Sequence, residues 1–109
     1  MATKGQGVPQ DYAHTLEWFC KAAEQGYAKA QNILGVMYRD GWGVPQDYVQ
    51  ARMWLNLAAS RFPPGTDRDH AVRNRDFVAK HMTRAQIAEA RRMAREWTAK
   101  HNLYQLLVR

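Results

Sequence analysis

Gly5-Gln-Gly-Val-Pro-Gln-Asp-Tyr12 returns 36 residues later as Gly41-Trp-Gly-Val-Pro-Gln-Asp-Tyr48, and this duplication decides how the rest of the chain is read. The phase continues past the motif. Trp18 aligns with Trp54, Ala22 with Ala58 and Ala23 with Ala59, and Phe19 falls opposite another apolar residue, Leu55. A self-similarity of about 35 residues is the period of stacked helix hairpins, so one supersecondary unit is expected twice over.

Inside one period the local signals spell out two helices. Asp11 and Asp47 follow a proline-containing turn and are placed to cap a helix by accepting from its first free amides. Gln50 stands three residues after Asp47, the spacing of a capping box. Tyr12, Thr15, Phe19 and Ala22 then recur at intervals of three and four, and Gly26 is placed to end this helix in the left-handed conformation. A second helix is predicted from about Tyr27 to Arg39, with Ala30, Ile33, Leu34 and Met37 on one face and Gly41 as its stop. Its interior Gly35 costs about 1 kcal/mol against alanine, a cost that a close helix crossing explains. The small residues Ala22, Ala23, Ala28, Ala30 and Gly35 are expected to let the two helices of the hairpin approach, with Trp18 and Tyr38 filling the gaps between hairpins.

The remainder departs from the repeat at Ser60-Arg-Phe-Pro-Pro-Gly65, where the double proline lengthens the connection. A helix is predicted from Thr66 or Asp67 to about His81, with Ala71, Asn74, Phe77 and Val78 on one face. Thr83, with Gln86 three residues on, starts another, whose inner stripe is Ile87, Ala90, Met93, Ala94 and Trp97. An apolar tail, Leu103-Tyr-Gln-Leu-Leu-Val-Arg109, follows Asn102.

The run G-x-G-V-P-Q-D-Y, then Trp18 followed by Ala22-Ala-Glu-Gln-Gly26, then Ala28-x-Ala-Gln-x-x-Leu-Gly-x-Met-Tyr-x-x-Gly41 resembles the Sel-one-like repeat, a relative of the tetratricopeptide repeat. The stretch Asn74 to Trp97 is similar to the terminal helices that close such arrays. The fold this implies is all-α: a solenoid of antiparallel helix hairpins, with about one and a half to two repeats and a helical carboxyl-terminal cap. The expected organisation is a single domain over residues 1–109, with a first repeat at 5–40, helix A of a second, degenerate repeat at 41–62, and a divergent basic cap and tail at 63–109. The chain opens in the phase of a preceding second helix that is ending, so it reads as the last part of a longer array. An uncovered first hairpin predicts self-association, by a symmetric dimer or by exchange of helices between chains.

Composition bounds the chemistry. The net charge is +6, yet residues 1–60 carry five basic and five acidic side chains, while residues 61–109 carry eleven against five. All the excess positive charge therefore belongs to the carboxyl-terminal helices. The single cysteine, Cys20, closes no disulfide within the chain and is expected to be a buried structural thiol. His14, His70, His81 and His101 show no metal-ligand spacing, and no phosphate-binding glycine loop is present, so neither metal nor cofactor is expected. The glycines of G-x-G-V-P read as a turn, since no strand precedes them. No stretch is long and apolar enough for a membrane span, and without an export signal in this stretch the default compartment is cytoplasmic, with the bacterial envelope as the alternative.

What the resemblance implies about function is a non-catalytic adaptor or scaffold that holds a peptide or protein on a curved helical surface. In related solenoids the first helix of each hairpin lines the concave side, which makes His14, Glu17, Lys21, Gln50, Met53 and Asn56 the candidate contacts. Trp42 joins them because it occupies the variable position of the turn, where the first copy has Gln6. The other aromatic residues, Trp18 and Tyr27 among them, are assigned to packing between hairpins. The alternative reading is binding of nucleic acid or another polyanion through Arg84, Arg91, Arg92 and Arg95, set against an ordinary solvated cap whose arginines pair with Asp76, Glu89 and Glu96.

Overall fold

The capping signals hold where the computed structural model describes the chain, which is over residues 12–108. The first copy of the turn, with Asp11 as its expected cap, lies outside the described residues. Among the described residues five helices follow one another: α1 (Tyr12–Glu24), α2 (Ala28–Asp40), α3 (Tyr48–Arg61), α4 (Thr66–Ala79) and α5 (Arg84–Leu107). No strand occurs among the described residues. Each helix end falls within about two residues of its predicted place except that of α5, which runs straight through the apolar tail to Leu107. Nothing after Asn102 breaks a helix, so the tail continues α5 rather than leaving it.

Gly26 turns the chain between α1 and α2 at φ +93°, a conformation open to glycine alone at little cost. Asp47 caps α3 by accepting from the Gln50 backbone N–H at 3.1 Å. The reciprocal half of the capping box is replaced: the Asp47 N–H donates to the Tyr38 carbonyl near the end of α2, at 2.9 Å. The cap therefore also fixes α3 against α2. Thr83 and Gln86 form the full reciprocal box that starts α5.

Consecutive helices pack on one another from α1 to α4, whereas α5 passes over α4 and lies on α3. Helix α3 is accordingly the centre of the molecule, with eight of its fourteen residues buried. Three separate apolar clusters use three of its faces. Met53, Trp54 and Leu57 meet Ala23 of α1, Ala30, Leu34 and Met37 of α2, and Ala94 of α5. Ala58 and Ala59 meet Ala71 of α4, and Ala51 and Leu55 meet Val78 of the same helix. A helix surrounded in this way needs apolar residues almost all round, which α3 has and the other four lack.

Gly35 marks a close crossing, but the partner is α3 and not α1. A methyl group at Gly35 would stand 2.7 Å from Leu55 Cγ and 3.2 Å from the Ala51 carbonyl oxygen. Two assignments of aromatic packing are also corrected. Trp18 and Tyr27 are 66% and 65% exposed, because among the described residues no helix packs on the outer side of α1. Phe77, expected on the inner face of α4, is half exposed and carries the Arg39 guanidinium over its ring.

Candidate partner-binding groove

On α3, Arg52, Asn56 and Ser60 stand four residues apart and so share one face. On α5, Arg91, Arg95, Thr98 and Asn102 form the corresponding stripe. Between the two helices lies an open groove of about 600 Å³ lined by Asn56, Ser60, Arg91, Arg95, Thr98 and Asn102, with Leu57, Ala94 and Ala99 completing it. The Ser60 and Thr98 hydroxyls donate to the Leu57 and Ala94 carbonyls of their own helices, at 2.8 and 2.9 Å, which leaves their oxygens as acceptors. Asn56 and Asn102 add carboxamides, each both donor and acceptor.

The charge of this groove is one-sided. Arg91 and Arg95 are exposed and, among the described residues, pair with no carboxylate. The nearby acids of α5 are already engaged, since Arg92 is held between Glu89 at 2.6 Å and Glu96 at 2.5 Å. These pairs hold the Glu89 carboxyl below its usual range. Arg52, one turn before Asn56, is only 7% exposed. It donates from Nη1 to the Arg75 carbonyl at 3.1 Å, and its Nε has no partner. Burial lowers its pKa from the ordinary arginine value, with the charges of Arg75 and Arg91 adding to the effect and Asp76 opposing it.

The candidate contacts read from sequence separate into groups. Asn56 comes together with Arg91 and Arg95 in the groove, so one member of the partner set and two of the polyanion set share a site. His14, Glu17 and Lys21 are exposed on α1, with Glu17 and Lys21 paired at 3.8 Å, an arrangement of little energetic weight in water. Gln50 is half-buried in the first turn of α3, and Trp42 is partly exposed in the turn before it. Met53 is corrected: it is 6% exposed and belongs to the core, because α5 covers the side of α3 that the repeat leaves open on α1. Arg92 is corrected as a free cation by its two carboxylate partners. Arg84 opens α5, outside the groove lining.

A second groove, of about 440 Å³, is apolar. Trp18, Phe19, Tyr27, Ala30, Ile33 and Phe62 line it at the outer side of the first hairpin. Cys20, which packs against the central cluster, is half-buried rather than buried, and both burial and the Glu24 charge push its thiol upward. Among the described residues no group of side chains could hold a metal ion, and no helix is long and apolar enough to cross a membrane. Arg52, Ser60, Thr98 and Asn102 were not singled out from sequence. The four-residue spacing of Arg52, Asn56 and Ser60 within an otherwise apolar helix is the signal that could have found them.

The Sel1 repeat model matches residues 1–27 and 28–61, more than half of the chain. The chain belongs to the Sel1 repeat family. A solved Sel1-like repeat structure is similar to it: c5321, described as a protective antigen present in uropathogenic Escherichia coli strains displaying an SLR fold, at 34% identity and a TM-score of 0.76. That likeness covers 90% of this chain and 20% of the other, so the chain spans about a fifth of the length of the structure it matches. No curated protein matches the chain significantly. Sel1 repeats typically mediate protein interactions.

Proposed function

We propose that this Sel1 repeat chain is a non-catalytic interaction module that holds a peptide or protein partner as an adaptor or scaffold. The observation that carries the reading is the groove between α3 and α5, whose polar and cationic groups stand over an apolar floor of Leu57 and Ala94. Interfaces combine buried apolar contact with a few directed polar groups in this way. The test is affinity capture from a lysate of the source cell, with and without nuclease. One or a few proteins recovered by the wild-type chain and lost from an Asn56→Ala, Arg91→Gln, Arg95→Gln variant agree with the reading. Recovery unchanged by that variant contradicts it.

A second association is favoured by a different observation, the exposed Trp18, Tyr27 and Ile33 around the apolar groove. A contiguous apolar surface of this kind is costly in water and is the natural seat of a second copy of the chain. Sedimentation at tens of micromolar should give a mass above that of the monomer, and a strictly monomeric mass contradicts this association. The nucleic-acid reading gains no support. Arg92 is neutralised within its own helix, and Arg84 lies outside the groove lining.

A further inference from the structure

The proposal that follows rests on the interaction-module reading and assigns the chemistry of the partner. Two arginines, Arg91 and Arg95, line the groove between α3 and α5, and no carboxylate does. Glu89 and Glu96, the acids nearest in sequence, are taken up by Arg92. Arg52, one turn before Asn56 on α3, is buried outside the groove lining, where it holds the Arg75 carbonyl of α4. Exposed guanidinium groups with no carboxylate of their own, as at Arg91 and Arg95, favour an anionic ligand.

The shape of the groove narrows what that anion is. From Arg91 to Asn102 the helix covers about 16 Å, roughly the reach of five extended residues. Asn56 and Asn102 can meet both the N–H and C=O groups of a peptide backbone, and the Ser60 and Thr98 oxygens can accept from backbone N–H groups. No aromatic face lines the groove, so a base would find nothing on which to stack. We propose that the groove between α3 and α5 takes an extended acidic peptide segment of the partner, whose carboxylates pair with Arg91 and Arg95.

The test selects twelve-residue peptides from a random displayed library on the full chain, then measures the selected peptides by fluorescence polarisation. Enrichment of Asp and Glu is expected, with affinity falling as salt is raised. R91Q/R95Q should weaken the best acidic peptide by about tenfold or more, while R84Q, exposed and outside the groove lining, leaves it unchanged. Circular dichroism of each variant verifies folding. Selected peptides that lack acidic residues, or acidic peptides indifferent to R91Q/R95Q, overturn the inference and leave the interaction-module reading standing. Failure to select any peptide also overturns it, and lysate capture then decides the broader reading separately. A twelve-nucleotide single-stranded RNA that binds as tightly, and with the same dependence on Arg91 and Arg95, overturns it in favour of a general polyanion surface.

Discussion

Trp18 of α1 and Trp54 of α3 occupy the same position of the Sel1 repeat, yet Trp18 is 66% exposed and Trp54 5%. The same divergence separates Glu17, exposed on α1, from Met53, buried on α3, which also fall 36 residues apart. What differs is the neighbourhood rather than the helix. Helix α3 has α2 on one side and α5 on the other, and Trp97 of α5 closes over Trp54 edge-on at 6.1 Å. Helix α1 packs chiefly on α2 and meets α3 and α5 at its end, through Ala23 and Glu24. In a stacked array a repeat position acquires its burial from the adjacent unit, so equal sequence does not give equal exposure.

The sharpest way to break this comparison is to remove both indoles. Trp54→Ala should cost about 3–5 kcal/mol in chemical denaturation, whereas Trp18→Ala should stay within about 0.5 kcal/mol at concentrations where the chain is monomeric. Equal costs would mean that the outer side of α1 is covered in solution. The crossing of α2 and α3 is tested next. Leu55→Ala should destabilise by about 2–5 kcal/mol. Gly35→Ala should cost about 1–2 kcal/mol net, overpacking against Leu55 being partly offset by helix propensity. Combined, the two should cost less than their sum, since the truncated leucine makes room for the new methyl group. Additive costs would place Gly35 against some other neighbour.

Smaller effects are expected at the joints. Asp47→Ala should lose about 1 kcal/mol through the cap of α3, and Asp47→Asn only a fraction of that. Arg52→Met should leave the denaturation midpoint unchanged or raise it, because a buried cation without a counter-ion is replaced by an apolar side chain of similar length. A marked loss of stability would show that the bond from Arg52 to the Arg75 carbonyl outweighs the desolvation. Least of all, Cys20 should react with iodoacetamide more slowly than an exposed cysteine at neutral pH, since its raised pKa keeps the thiol protonated. Rapid alkylation would contradict the packing of α1.

Much of the architecture was legible because it is local. Asp47, Thr83, Gly26 and Gly41 act through backbone groups a few residues away, so caps and stops could be placed from spacing alone. Burial and pairing across helices were not legible in the same way. The placement of α5 on α3 rather than α4 decides that Met53 is core and that Asn56 borders a groove; the apolar girth of α3 says that it is covered, but not by which helix. The long-range ties that hold α5 there, from Trp97 Nε1 to Glu24 at 3.0 Å and from the Arg61 guanidinium over the Trp97 ring, join residues of three helices. Arg61 also donates to the Gly26 carbonyl at 2.7 Å, which brings the α1–α2 turn into the same junction. Of the site, Asn56, Arg91 and Arg95 were read correctly as polar and accessible, but that they share one groove follows only from the helix arrangement.

Two surfaces are thus proposed to act separately: an apolar groove beside Trp18 for a second copy, and an arginine-lined groove between α3 and α5 for a partner. One capture experiment addresses both, using wild-type, Trp18→Ser and Asn56→Ala, Arg91→Gln, Arg95→Gln baits in source lysate supplemented with a differently tagged copy of the chain. The predicted result is that Trp18→Ser loses the tagged copy and keeps the partner, while the groove variant does the reverse. Loss of both by the same bait, with the other unaffected, would contradict the separation.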